Sequence, residues 1–311
     1  MEYQEFVEMF RRSLSETAEI DSERIQFEEE GGRFAEKGDR LLIEFADHED
    51  STEICALHTE ELYDLYQKGK TLQELVQEVA QDIEEARSAQ VYQRARELSE
   101  YEKIRGELFI RLINEERNRK NLEDAIYRTI GDIALVVYAR MAESESGISS
   151  AKISERFTEI WQKSKDEIFT EALLNTYFIS PPRIYRWEEL IFDPEYSGEN
   201  FMDIVSEHSL LKTAIGNCLS TSRKINGAVA VFLPGVAERI YDLLNSDFYI
   251  VFTSIHEAMI HNVESVKKED LQEILNDITD KVTPKEEFLS SCIYRYSHDT
   301  KQFSCVSGSV K

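Results

Sequence analysis

The chain has 311 residues, 41% of them hydrophobic, which is enough for a buried core in one large domain or two and excludes a disordered chain. Its formal net charge of -25 argues against a nucleic-acid backbone or an anionic membrane as the main partner. The excess is uneven: residues 1–100 hold 27 Asp and Glu against 11 Lys and Arg, so the first third is the acidic part.

In chain order, Tyr3, Phe6, Val7, Phe10 and Leu14 fall at helical spacing and predict an amphipathic opening helix. Ile25 and Phe27 alternate with polar residues, Gly31-Gly32 breaks the run, and residues 41–45 form the next strand, so a small antiparallel sheet is expected. Residues 60–67 read as a short helix ended by Gly69. Thr71 and Glu74 then make a capping box ahead of Leu72, Leu75, Val76, Val79, Ile83 and Ala86. That helix is expected to run past Tyr92, and its polar surface suits a connector between halves better than a core element.

Apolar content rises over residues 104–113, and residues 130–138 (IGDIALVVY), the most apolar window, read as a central strand beside Gly131-Asp132. Residues 144–150 read as a loop. Ile153, Phe157, Ile160, Trp161, Ile168 and Phe169 describe a helical face broken near Ser164; Pro181-Pro182 ends that region, and residues 193–200 form an exposed turn.

Residues 226–261 make the most organised stretch. Asn226-Gly227 signals a turn, residues 228–233 (AVAVFL) have the length of a strand, and Pro234 opens a helix that buries Val236, Ile240, Leu243 and Leu244. Residues 248–252 (FYIVF) form a second core strand with Ser254-Ile255-His256-Glu257 at its end. Leu271, Ile274, Leu275, Ile278 and Val282 predict one more amphipathic helix. Thr283, Pro284 and Glu286 cap a short final helix, and residues 292–296 close the chain as a strand. Strands and helices mix without a regular βαβ alternation. The expected fold is therefore α+β, with mixed or antiparallel sheets and packed amphipathic helices. An acidic α+β region over residues 1–100 ends in the long helix, and a larger α+β domain follows over residues 101–311.

Cys55, Cys218, Cys292 and Cys305 stand far apart with no C-x-x-C pair, so they read as small apolar side chains in a reducing compartment. The start, MEYQEFVEMF, lacks the basic and apolar segments of a secretory signal, and no run approaches the roughly 20 apolar residues of a membrane span. A cytoplasmic location is expected.

His256 and Glu257 with His261 are the sharpest candidate site, because two imidazoles and a carboxylate can hold a divalent metal. The histidines stand five apart, where the helical H-E-x-x-H motif needs four, and on a strand they point to opposite faces unless a turn intervenes. The preferred reading is that His256 and Glu257 cap a strand end and hydrogen-bond backbone. Asn114, Asn118 and Asp132, near Arg111 and Arg117, form a second polar set in apolar context, expected to tie a loop to a sheet. Convergence of Asn114, Asp132 and His256 in one cleft would instead mark a site. No phosphate-binding pattern surrounds Gly31-Gly32 or Pro234-Gly235, and no G-x-S-x-G elbow surrounds Ser220 or Ser290, so neither a cofactor nor a serine nucleophile is expected. Glu28, Glu29, Glu30, Asp47, Glu49 and Asp50 read as a solvated face.

Arg111-Leu112-Ile113-Asn114 with Asn118, Asp132-Ile133-Ala134, Asn226-Gly227-Ala228, Pro234-Gly235-Val236, Ser254-Ile255-His256-Glu257 and Tyr294 occur in an order that resembles a family of uncharacterised bacterial proteins. It is a domain of unknown function seen mainly in Gram-positive anaerobes. The resemblance runs from about Glu5 to Phe303 and departs at Phe252-Thr253, where the family pattern has proline and serine, and in an insertion near residues 181–205. It implies a bacterial, cytoplasmic protein and brings no activity, cofactor or catalytic residue.

The expected function is a non-catalytic cytoplasmic interaction or regulatory protein, whose acidic surface meets a basic protein without direct contact to nucleic acid or membrane. The alternative is a metal-assisted hydrolase in which His256, Glu257 and His261 hold an ion that lowers the pKa of a bound water. A third reading, suggested by net charge alone, is an acidic mimic of DNA.

Overall fold

The structure is a computed structural model that describes residues 2–32, 38–47, 52–88, 94, 97–144, 147–186, 189, 192–193, 196–285 and 287–307. Two compact units divide the chain, Met1–Arg96 with Ala142–Gly147, and Glu97–Met141 with Ile148–Lys311.

In the first unit, helix α1 (Tyr3–Thr17) leads into strands β1 (Ile25–Glu28), β2 (Arg40–Asp47) and β3 (Thr52–His58), then helices α2 (Thr59–Gln67) and α3 (Leu72–Ser88). The strands form an antiparallel sheet in the order β1-β2-β3. Phe6, Val7, Phe10 and Leu14 of α1 pack with Leu75, Val76, Val79 and Ile83 of α3 and with Ile25, Leu41 and Ile43 of the sheet. This corrects the connector expectation: α3 is a wall of the core, because four apolar side chains at helical spacing need only one buried stripe, however polar the opposite face. The expected capping box is present, with the Thr71 amide donating to Glu74 Oε2 at 2.8 Å and the Glu74 amide to Thr71 Oγ1 at 3.2 Å. The continuation past Tyr92 and the acidic residues Glu49 and Asp50 lie outside the described residues.

The rest of the chain adds β4 (Leu108–Asn114), β5 (Tyr127–Ile130), β6 (Ile133–Ser144), β7 (Gly147–Lys152), α4 (Phe157–Trp161), α5 (Lys165–Ile179), β8 (Pro182–Tyr185), β9 (Asn217–Thr221), α6 (Val236–Leu244), β10 (Phe248–Phe252), β11 (Ala258–Asn262), α7 (Lys268–Lys281), β12 (Ile293–Ser297) and β13 (Gln302–Ser307). One sheet has the order β4-β6-β5 with β7 also on β6; the other runs β13-β12-β10-β11-β9-β8. The described strand registers are antiparallel, and the fold is α+β. Side chains from both sheets, α4, α5 and α6 share one core. Among the described residues no helix is long and apolar enough to cross a membrane.

Of the central strand expected at residues 130–138, residues 133–138 lie in β6, while Ile130 ends β5; the helical break near Ser164 is the N-cap of α5, where Ser164 and Glu167 form a reciprocal capping box. Five more expectations are overturned. Residues 228–233 are no strand: Gly227–Phe232 is a 3-10 helix with every residue buried. A uniformly apolar run of that length fits a buried strand and a buried helix equally well. Gly235, not Pro234, stands at the N-cap of α6. The loop expected at residues 144–150 contains the end of β6 and the start of β7, with residues 145–146 outside the described set. After Thr283 a turn, in which the Glu287 amide donates to the Pro284 carbonyl at 3.1 Å, replaces the short helix, and β13 rather than β12 closes the fold. Glu286 is outside the described residues.

Candidate functional site

Strands β5 and β6 are joined by the two residues Gly131-Asp132, with Ile130 opposite Ile133. Gly131 sits at a φ of +60°, and a Cβ there would overlap the Tyr294 hydroxyl, so only glycine lets β12 come this close to the turn. Asp132 Oδ1 accepts from Ser290 Oγ at 2.7 Å and from Tyr294 Oη at 2.5 Å, while the Asp132 amide donates to Tyr294 Oη at 3.1 Å. The Ile130 carbonyl lies 3.0 Å from the same hydroxyl. One phenol has one proton, and the shorter, charged acceptor takes it. Burial, then Asp132 itself, holds the Tyr294 phenol well above its usual range.

Asn114 ends β4 opposite Ile133 and completes the cluster. Its Nδ2 donates to the Leu289 carbonyl at 2.9 Å and stands 3.4 Å from Asp132 Oδ2, while its Oδ1 accepts from the Arg117 amide at 3.0 Å. Asn118 Nδ2 donates to the Asn114 carbonyl at 2.9 Å. A cleft of about 380 Å³ opens beside the cluster, lined by Asn114, Arg117, Asp132, Phe288 and Cys292 among others. Arg117 lies with its guanidinium carbon 3.6 Å from the Phe288 ring centroid. Burial, followed by a hydrogen bond with Cys305, pushes the Cys292 thiol up to about 12.

His256 and Glu257 occupy the turn between β10 and β11. His256 Nδ1 accepts from the Asn226 amide at 3.1 Å, its carbonyl accepts from Ser220 Oγ at 2.7 Å, and its Nε2 stands 3.6 Å from Glu287 Oε1. With Nδ1 accepting, the neutral ring carries its proton on Nε2, facing Glu287. Glu257 accepts from Thr253 Oγ1 at 3.0 Å and from Cys218 Sγ at 3.5 Å. Burial and the neighbouring Glu257 keep the Cys218 thiol protonated. His261 lies on β11 opposite Tyr249, 6% exposed, and its Nδ1 has no hydrogen-bond partner. Burial lowers its pKa to about 4, against a smaller opposing effect from a hydrogen bond with the Ala214 backbone.

The three members of the proposed metal set thus have separate surroundings, and the cleft that Asn114 and Asp132 line is not lined by His256. Among the described residues no group of three or more His, Cys, Asp and Glu is placed to hold a metal ion, which leaves the metal-assisted alternative without a ligand set. Ser290 was not recognisable in the sequence as the partner of Asp132, because 158 residues separate the two and no local pattern links them. A shallower cleft of about 460 Å³ beside α5 was also invisible there; its Arg105 pairs with Glu102 at 3.3 Å and Glu171 at 3.2 Å.

In comparison with known proteins, the model of a family of unknown function, DUF5688, matches residues 3–298. No curated protein and no solved structure matches the chain.

Proposed function

From the premise that this chain belongs to DUF5688, a family of unknown function, we propose that it works as a bacterial, cytoplasmic binding protein without a catalytic step, whose acidic first hundred residues meet a basic protein. The observation that carries this reading is the charge asymmetry, 27 acidic against 11 basic residues in that segment. Glu5 on α1 and Glu60 and Asp64 on α2 are exposed on helices of one compact unit. Carboxylates so displayed steer a cationic partner and fix its orientation more than they raise its affinity. The polar groups of the other unit support the same reading. Asn114, Asp132 and His256 hold strand ends and turns together through hydrogen bonds to backbone amides, carbonyls and neighbouring hydroxyls.

The test is titration of the full chain with oligolysine, with a neutral peptide of equal length as control. Binding is expected at low ionic strength, weakening as salt is added and again in a Glu5→Gln, Glu60→Gln, Asp64→Asn variant. Equal affinity for both peptides, or no change in the variant, would remove the acidic face from the function.

A further inference from the structure

The four cysteines are all free thiols, and the fold brings two of them together. Cys305 on β13 lies opposite Tyr294 on β12, and Cys292 lies two residues before Tyr294, so the alternation of a strand puts both thiols on one face. That face also carries Tyr294, Tyr296 and Phe303 toward the larger core, while Ile293 and Val306 turn the other way against Leu271 and Leu275 of α7. The two thiols are hydrogen-bonded to each other. In a regular ladder such diagonal neighbours stand about 7–8 Å apart, too far for a disulfide, whose Cβ atoms are about 3.5–4.5 Å apart. This ladder is not regular. Its register shifts between Ile293 and Tyr294, leaving Val306 without a paired residue, and a bulge of this kind bends the strand and increases its local twist, so the regular spacing does not apply to the two thiols.

We propose that Cys292 and Cys305 form a reversible disulfide when the protein meets a peroxide, making the β12–β13 pair an oxidation site beside the Asp132 cleft. Cys305 is partly exposed and Cys292 buried, so the peroxide reaches Cys305 first. Its O–O bond breaks as one oxygen joins Cys305 Sγ, yielding a sulfenic acid and water or an alcohol. Cys292 Sγ then attacks Cys305 Sγ; the S–O bond breaks, and the departing hydroxide leaves with the Cys292 proton as water. Two thiols are oxidised by two electrons in all, and one peroxide is reduced. Burial holds the Cys292 thiol in its protonated form at neutral pH, so closure of the bridge quickens as pH rises. The other thiols are less reactive: Cys218 is buried and bonded to Glu257, and burial raises the pKa of Cys55 above its usual value. In a reducing compartment the pair rests as thiols, and disulfides that form there are characteristically transient or redox-sensing.

The experiment uses the full-length protein, treated with hydrogen peroxide, blocked with iodoacetamide and digested with trypsin without reduction. Cleavage after Arg295 and after Lys301 puts the two cysteines on different peptides, so a bridge appears in the mass spectrum as one linked species. The expected result is that linked species, cleaved by dithiothreitol, with two of the four thiols consumed and a raised Tm in the oxidised protein. In Cys292→Ser, Cys305 is expected to stop at the sulfenic acid and be trapped by dimedone. Cys305→Ser is expected to leave Cys292 unmodified. The proposal is overturned if wild-type protein keeps four thiols, links a different pair or a second molecule, or carries Cys305 on to the sulfinic acid without a bridge. The wild-type digest decides this even if a serine variant fails to fold.

Discussion

Asp132 Oδ1 receives two hydroxyl protons, from Ser290 and Tyr294, and so ties the β5–β6 turn to the segment leading into β12. Removing the carboxylate leaves the buried Ser290 hydroxyl without its acceptor and the Tyr294 hydroxyl with only the neutral Ile130 carbonyl, so Asp132→Ala is expected to cost about 2–3 kcal/mol and Tyr294→Phe about 1–2 kcal/mol. Urea unfolding of the two single variants and the double variant checks this. The double should lose less than the sum, because both singles delete the same bond; strict additivity would mean that the bond contributes nothing. His261 makes a second residue-scale prediction, with a definite sign. Its folded pKa of about 4 lies below the 6.5 of an unperturbed imidazole. Between those values the unfolded chain binds a proton that the folded chain refuses. Stability therefore falls as pH drops through 6.5, and the loss levels off below about 4, at a total of about 3 kcal/mol. His261→Leu should flatten that segment of the curve, and urea midpoints that fall as steeply in the variant as in wild type would clear His261 of the effect.

At the scale of elements, the buried 3-10 turn of Gly227–Phe232 is where a single methyl group should matter most. A Cβ on Gly227 would overlap Ser220 Oγ and stand 2.6 Å from the His256 carbonyl oxygen and 2.8 Å from the Thr221 amide nitrogen. The hydroxyl can rotate away, but the two backbone atoms belong to the paired strand β9 and the β10–β11 turn and cannot move independently. Gly227→Ala is therefore expected to destabilise by at least about 2 kcal/mol by overpacking, with no rescue from Ser220→Ala; a full rescue would show that only the hydroxyl was in the way. Helix caps offer a milder test: Thr71→Ala and Ser164→Ala should each cost about 1 kcal/mol in thermal or urea unfolding. The Thr71 cap was legible in the sequence because a capping box is a local pattern, as were the buried stripe of α1 and the apolar strands β6 and β10, whereas Ser164 showed only as a break in a helical face. Strand β9, NCLST, was not. All five of its residues are buried, yet the sequence reads as polar, because Asn217 and Ser220 satisfy their side chains on backbone partners, Leu211 and the His256 carbonyl. Strand β13 hid for a different reason: it lies at the end of its sheet with Gln302 and Ser304 exposed, so QFSCVS reads as polar, and the 3-10 turn hid behind a run whose composition suits two structures. The candidate site divides along the same line. Asn114 and Asp132 stood out as polar residues in apolar surroundings, whereas Ser290 and the approach of Tyr294 depend on a sheet assembled from distant strands.

For the whole molecule the ruling quantity is the net charge of -25, with a sequence pI near 4.7. Excess negative charge keeps copies apart and also strains the compact state, because folding gathers like charges. Opposing this are exposed ion pairs such as Arg12 with Glu16 at 3.6 Å and Lys281 with Asp277 at 2.9 Å, of the kind that contributes little when solvated. Salt screens both, shortening the reach of charge from about 10 Å at 0.1 M to about 3 Å at 1 M. If the long-range repulsion is the larger effect, Tm should rise by a few degrees as sodium chloride is added across that range, while affinity for oligolysine falls. These opposite signs come from one cause, carboxylates that repel each other and attract a cationic partner. The Glu5→Gln, Glu60→Gln, Asp64→Asn variant should accordingly lose part of both responses, starting from a higher Tm and a weaker binding at low salt. Calorimetry and titration on the same two proteins separate the possibilities. A Tm that falls with salt would put the exposed pairs ahead of the repulsion, and the acidic unit would then owe its charge to its own stability and not to a partner.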